Sequence, residues 1–131
     1  MCSGSVLLGA AGLLRGVRAT SNSNAFPMLS EFGAIPVANG GVVVDGKFHT
    51  AGPGTGSFEA ALLVLAALRS EDVARLVELV LEYDPHPPFH TGTPESAGPQ
   101  LAGISREFTR ELNASYREAA LASFRRAAAT R

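Results

Sequence analysis

Two β-prone runs separated by a turn pair commit the middle of this chain to a hairpin: Val42-Val43-Val44-Asp45-Gly46-Lys47-Phe48-His49-Thr50. The mirror-image turn of a tight hairpin needs positive φ at its central residues, and an Asp-Gly pair supplies it. With Asp45 and Gly46 at the turn, the flanking valines and the Phe-His-Thr run pair antiparallel. Glycine-rich chain follows at Ala51-Gly52-Pro53-Gly54-Thr55-Gly56, and helical patterns lie on both sides of the hairpin.

Upstream, residues 3 to 14 read as a small-residue helix whose glycines and alanines permit close packing, with Gly16 as its stop. Val17 to Ser21 is expected as a strand, Ala25 to Phe32 as a short helix, and Ala34 to Val37 as a second extended piece. Downstream, Ala60 to Leu68 is almost wholly apolar and reads as a buried helix. Ser70 caps the next helix, with Glu71 and Asp72 in the first turn, where the dipole favours negative charge. Val73, Leu76, Val77, Val80 and Leu81 form one apolar stripe at helical spacing. Pro85, Pro87 and Pro88 end that helix and hold Glu82 to Phe89 extended. A last helix is expected over residues 100 to 129, with Leu101, Ile104, Phe108 and Leu112 on one face and a tail fraying from about residue 113.

The chain has 131 residues, 46% hydrophobic and 18% charged, with a net charge of −1, the composition of a soluble globular domain. Arginines are scattered until Arg125, Arg126 and Arg131, so no basic stripe marks a nucleic-acid partner. No stretch approaches the roughly 20 apolar residues that span a bilayer. The run Val6 to Leu14 lacks the preceding basic residue of a signal peptide, and the sequon Asn113-Ala114-Ser115 carries no weight. One cysteine forms no internal disulfide and no Cys/His spacing suggests a metal site, so a reducing, cytoplasmic location without metal or cofactor is expected.

That cysteine, Cys2, stands directly before the first helix. The thiolate is the attacking species, and a helix N-terminus favours it. Ser3 follows, and the amide after a nucleophile at a sharp turn can hold a developing oxyanion. On these residues alone an incidental buried cysteine is the weightier reading. His49, His86 and His90 read as surface or packing residues rather than bases. Glu59 and Asp72 read as helix first-turn charges, and Glu82 and Asp84 as flanks of a structural segment. The loop 52–56 lacks the lysine of a phosphate loop and the spacing of a dinucleotide fingerprint.

Cys2-Ser3-Gly4, Ala10-Ala11-Gly12-Leu13-Leu14-Arg15-Gly16 and Arg18-Ala19-Thr20 together resemble the nucleophile-elbow helix of the ThiJ/PfpI superfamily. Phe32 to Val37, Val43 to Gly46 with Thr50-Ala51-Gly52 and Ala60-Ala61-Leu62, and the run Glu82-Tyr83-Asp84-Pro85 through Pro87-Pro88-Phe89, Gly92 and Pro94-Glu95 resemble its isonitrile hydratase branch in particular. The resemblance implies an α/β fold, an incomplete flavodoxin-like three-layer sandwich with a mostly parallel sheet plus the hairpin. It implies that the N-terminal strands of the family lie outside this sequence, with residues 1–104 the C-terminal part of the domain and 105–131 a C-terminal helix and frayed tail.

By the same resemblance, Cys2 is the nucleophile and Ser3 lends an oxyanion-hole amide. The substrate is a small electrophile, an isonitrile hydrated to an N-substituted formamide, and a homodimer is compatible. The family's acidic partner of the cysteine has no match here, so the chain alone is expected to be inactive. Asn22 stands where many hydratase-like sequences carry histidine, and Gly52 to Gly56 departs toward the deglycase and chaperone branch. Three further readings stay open: a non-catalytic remnant or interaction module, a deglycase- or chaperone-type member, and an N-terminal-cysteine hydrolase formed by removal of Met1.

Overall fold

A computed structural model describes residues 2–38 and 41–129. Met1, on which the N-terminal-nucleophile reading depends, and Arg131 of the basic cluster lie outside the described residues.

The chain forms a mixed α/β fold. Helix α1 covers Gly4–Ala10, strand β1 Arg18–Ala19, a 3₁₀ helix Phe26–Phe32 and strand β2 Ile35–Pro36. The hairpin is β3, Val42–Asp45, with β4, Phe48–Ala51, followed by α2 (Gly56–Leu68), α3 (Glu71–Val80) and α4 (Pro94–Ala129). β1 and β2 pair in parallel, and β3 and β4 antiparallel. Side chains of the hairpin join the two sheets: the Arg18 N–H donates to Asp45 Oδ2 at 2.8 Å, and the Thr20 N–H to Thr50 Oγ1 at 3.0 Å. Asp45 thus ties β1 to the hairpin in addition to ending β3.

Asp45 pairs with Phe48, so the two-residue loop is Gly46-Lys47, one position later than the Asp-Gly reading placed it. Gly46 has φ +54, which suits a turn that asks positive φ of its first central residue. α1 also stops earlier than Gly16. Gly12 takes φ +74, its N–H bonds to the Gly9 carbonyl and the Leu13 N–H to Leu8, the reciprocal pair that closes a helix behind a left-handed glycine.

Two clusters form the core. Val6, Ala10, Ala25, Met28, Phe32 and Ala120 make one, with Tyr116, Leu121 and Phe124 packed against it. Leu14, Ala19, Leu29 and Ala34 make the other. Gly9 is part of the design, because an added Cβ would lie 2.7 Å from the ring of the fully buried Phe32.

Packing overturns two expectations, the burial of Ala60 to Leu68 and the fraying from residue 113. Ala60 to Leu68 is helical but not buried: within α2 only Gly56 and Ala60 are fully covered among the described residues. Of the α3 stripe Val73, Leu76, Val80 and Leu81 are exposed, as is the face Leu101, Ile104, Phe108 and Leu112 of α4, with Phe108 90% exposed. The stretch from residue 113, expected to fray, is helical to Ala129 and supplies Tyr116, Ala120 and Phe124 to the core cluster. Helical periodicity finds an apolar face but not which element covers it, and here the second apolar face of α4, at spacing of four, won the contact. The helix kinks at Gly98, with φ 78 and ψ 169, just before Pro99.

Candidate functional site

Cys2 lies where hairpin, first helix and the segment after β1 converge. Its N–H donates to the Ala51 carbonyl at the end of β4, at 2.9 Å. Its φ is +48, a left-handed conformation that costs a residue with a Cβ and recurs where strain is held at functional positions. The surroundings enforce it. The Cys2 carbonyl accepts the Ser21 hydroxyl at 2.8 Å and the Ser5 hydroxyl at 3.4 Å, and Ser5 also donates to the Thr20 carbonyl at 2.7 Å. Ser5, Thr20 and Ser21 are buried, so these bonds are shielded from water.

The sulfur is half-buried and receives the Asn22 Nδ2–H at 3.1 Å. The same nitrogen lies 2.7 Å from Ser3 Oγ, while Asn22 Oδ1 accepts the N–H groups of Asn24 and Ala25 at 3.1 and 2.9 Å. One asparagine therefore caps the turn that enters the 3₁₀ helix and aims its amide at the sulfur. The Asn22 hydrogen bond holds the Cys2 thiol below its usual range; partial burial opposes this, and the backbone and side chain of Ser3 add to the lowering. The helix end that follows Cys2 does not dominate: α1 has only seven residues, and the largest cause of the lowering is a side-chain amide. Asn22, read at first as a departure, is the residue that sequence reasoning undervalued. Its signal was positional, two residues after Thr20 in the matched stretch.

Tyr116 approaches from the far end of the chain, and its hydroxyl donates to the Ser3 carbonyl at 3.0 Å. Burial and the neighbouring Cys2 charge raise its phenol above the ordinary range, so it stays protonated. The remaining sequence candidates lie elsewhere. Glu59 Oε1 accepts the Tyr83 hydroxyl at 3.2 Å, and the Tyr83 ring packs on Phe58 at 4.4 Å, which makes Glu82-Tyr83-Asp84 a clasp on α2. His86 turns back on Asp84, its Nδ1 at 2.6 Å from that residue's carbonyl. Among the described residues no cluster of His, Cys, Asp and Glu is placed to hold a metal ion, and no helix is long and apolar enough to cross a membrane.

No family model matches the chain. It is 46% identical over 107 residues to an isonitrile hydratase of Pseudomonas putida, a match spanning 82% of this chain and 46% of that protein. A ThiJ/PfpI family protein from Pseudomonas syringae, known from its crystal structure, superposes with a TM-score of 0.83 at 37% identity, covering 92% of this chain and 49% of the other. The chain thus spans about half the length of each relative. A small parallel sheet beside a hairpin, a cysteine elbow, and these two likenesses support a ThiJ/PfpI, isonitrile hydratase-like assignment of the chain.

Proposed function

We propose that Cys2 is a nucleophile for hydration of a small isonitrile, and that Asn22 and Ser3 hold its thiolate. The observation that carries this reading is the Asn22 amide at 3.1 Å from the sulfur of a cysteine held at φ +48. A donor on the sulfur favours the thiolate, and the thiolate is the attacking species. The sulfur bonds to the terminal isonitrile carbon, and that carbon takes a proton from water, giving a thioimidate and hydroxide. Hydroxide then adds to the same carbon. Transfer of the hydroxyl proton to nitrogen and rupture of the C–S bond release the N-substituted formamide and restore the thiolate.

The Ser3 amide, which faces the sulfur at rest, serves the charge that develops during addition and collapse. Asn22 neither gains nor loses a proton at neutral pH, so its part is to hold charge, and the proton comes from water. Dependence of product formation on Cys2, rather than its speed, is the test. With cyclohexyl isocyanide as substrate, formamide formation followed by proton NMR should be lost in Cys2→Ser. Equal formation by both proteins rejects the reading.

A second reading has its own support. Leu76, Leu79 and Val80 of α3, with Ile104, Phe108 and Leu112 of α4, are exposed apolar residues, as in a module that works by assembly with another polypeptide. A mass that stays monomeric in light scattering across a concentration series argues against self-assembly as that work.

A further inference from the structure

The end of α4 grips both elements that create the thiolate site. Ala120 is buried with Val6 and Ala10 of α1 and with Met28 and Phe32 of the 3₁₀ helix. Phe124 meets Phe32 edge-on, with ring centroids 5.5 Å apart, and the Arg15 guanidinium lies 4.3 Å over the Phe124 ring. Arg117 pairs with Glu31 at the rim. Cys2 precedes α1, and Asn22 caps the turn into the 3₁₀ helix, so the two ends of the sulfur–amide hydrogen bond ride on the two elements that α4 bridges.

Within that grip one polar contact reaches the elbow itself. Tyr116 donates to the Ser3 carbonyl at 3.0 Å, and the Ser3 hydroxyl sits 2.7 Å from the Asn22 nitrogen that donates to sulfur. Ser3 is therefore held at its carbonyl by α4 and at its hydroxyl by Asn22. The Ser3 carbonyl also accepts the Val6 N–H at 3.0 Å, while the Cys2–Ser3 peptide is held separately, by Ser21 and Ser5 on the Cys2 carbonyl.

We propose that the last turns of α4 act as a clamp on the elbow and that Tyr116 is a positioning residue, fixing Ser3 so that its hydroxyl keeps the shared Asn22 amide aimed at the Cys2 thiolate. The inference deepens the cysteine-nucleophile reading and rests on it for its catalytic meaning. The clamp comes from the stretch that composition alone marks as surface tail. Without the Tyr116 hydroxyl Ser3 loses one of the two donors on its carbonyl, its own hydroxyl holds the shared Asn22 nitrogen less firmly, and the thiol moves up toward its ordinary range.

Tyr116→Phe removes the single oxygen and keeps the ring. The readout is the pH profile of Cys2 alkylation by iodoacetamide, which reports thiolate fraction independently of isonitrile turnover. The profile is expected to shift to higher pH, with the neutral-pH rate falling about three-fold or more while the high-pH plateau is unchanged. A profile superimposable on the native one overturns the proposal. Arg117→Ala weakens docking at the rim and touches nothing at the elbow; it should lower the melting temperature and leave the profile in place. An equal shift in Arg117→Ala overturns the specific role of the hydroxyl.

If Tyr116→Phe does not fold, Ser3→Ala tests the same link: it keeps the carbonyl that Tyr116 holds and removes the hydroxyl that meets the Asn22 nitrogen, so its alkylation profile should also shift to higher pH, and an unshifted profile overturns the clamp. Formamide formation is followed in parallel. Its absence beside a shifted alkylation profile sinks the hydratase reading alone, and its presence beside an unshifted profile sinks the clamp alone.

Discussion

Asn22 joins a charge-stabilising role to a structural one, and two substitutions separate them. Asn22→Ala deletes the Nδ2 donor to sulfur, at 3.1 Å, together with the Oδ1 acceptor for the Asn24 and Ala25 amides. Asn22→Asp keeps an acceptor for those amides, loses the donor, and brings a negative charge to the sulfur. A hydrogen bond to a charged group contributes about 1.5–3 kcal/mol. Since Cys2 and Asn22 are only half-buried, the lower end applies, and ~1.4 kcal/mol is about a ten-fold change in thiolate population below the thiol's pKa.

Iodoacetamide alkylation at neutral pH should therefore slow about ten-fold in Asn22→Ala and further in Asn22→Asp, since like charge disfavours the thiolate. Stability should move differently. Loss of the capping acceptor costs Asn22→Ala about 1 kcal/mol in urea unfolding, while Asn22→Asp retains it. The refuting result is an Asn22→Asp protein alkylated as fast as the native chain. That outcome would mean the amide does not govern the sulfur, and the proposed site would lose its principal support.

Three more expectations follow from the same geometry. Cys2→Gly should be more stable than Cys2→Ala by about 1 kcal/mol, because both lack the thiol and only glycine takes φ +48 without a Cβ penalty; alanine equal to or better than glycine would mean the elbow is unstrained. Gly9→Ala should destabilise by about 1–2 kcal/mol despite alanine's better helix propensity, since the new methyl meets the Phe32 ring at 2.7 Å, whereas Gly4→Ala, with nothing within 4 Å, should not destabilise. In pH-dependent unfolding, the depressed Cys2 thiol favours the native chain over Cys2→Ser fully above the unfolded thiol pKa of about 8.5, and the advantage disappears as pH falls through the folded value; a difference independent of pH removes the thiolate from the folded state.

The order of elements was legible in residue pattern because each depends on neighbours in sequence. Ser70 accepts the Val73 N–H as its capping role requires, and the hairpin lies where two β-prone runs flank Asp45-Gly46. Positions that depend on one glycine's φ were less legible. Gly12 and Gly16 both adopt positive φ, and nothing local says that the first of them closes α1. The elbow cysteine was legible through its resemblance to known elbows, but the cause of its lowered thiol was not, because Asn22 lies twenty residues away along the chain.

Residue identity sets the local choices: turn residues, caps, prolines that end a helix, and the cysteine placed before α1. Tertiary structure alone decided which of the apolar faces is covered. Tyr116, Ala120 and Phe124 lie on one face of α4, and Leu101, Ile104, Phe108 and Leu112 are as apolar, yet only the first set reaches the core. Burial is a property of what packs opposite, and helical periodicity carries no information about the opposing surface. For the same reason the bond from Tyr116 to Ser3, 113 residues apart, exists only once the chain has folded back over its own elbow.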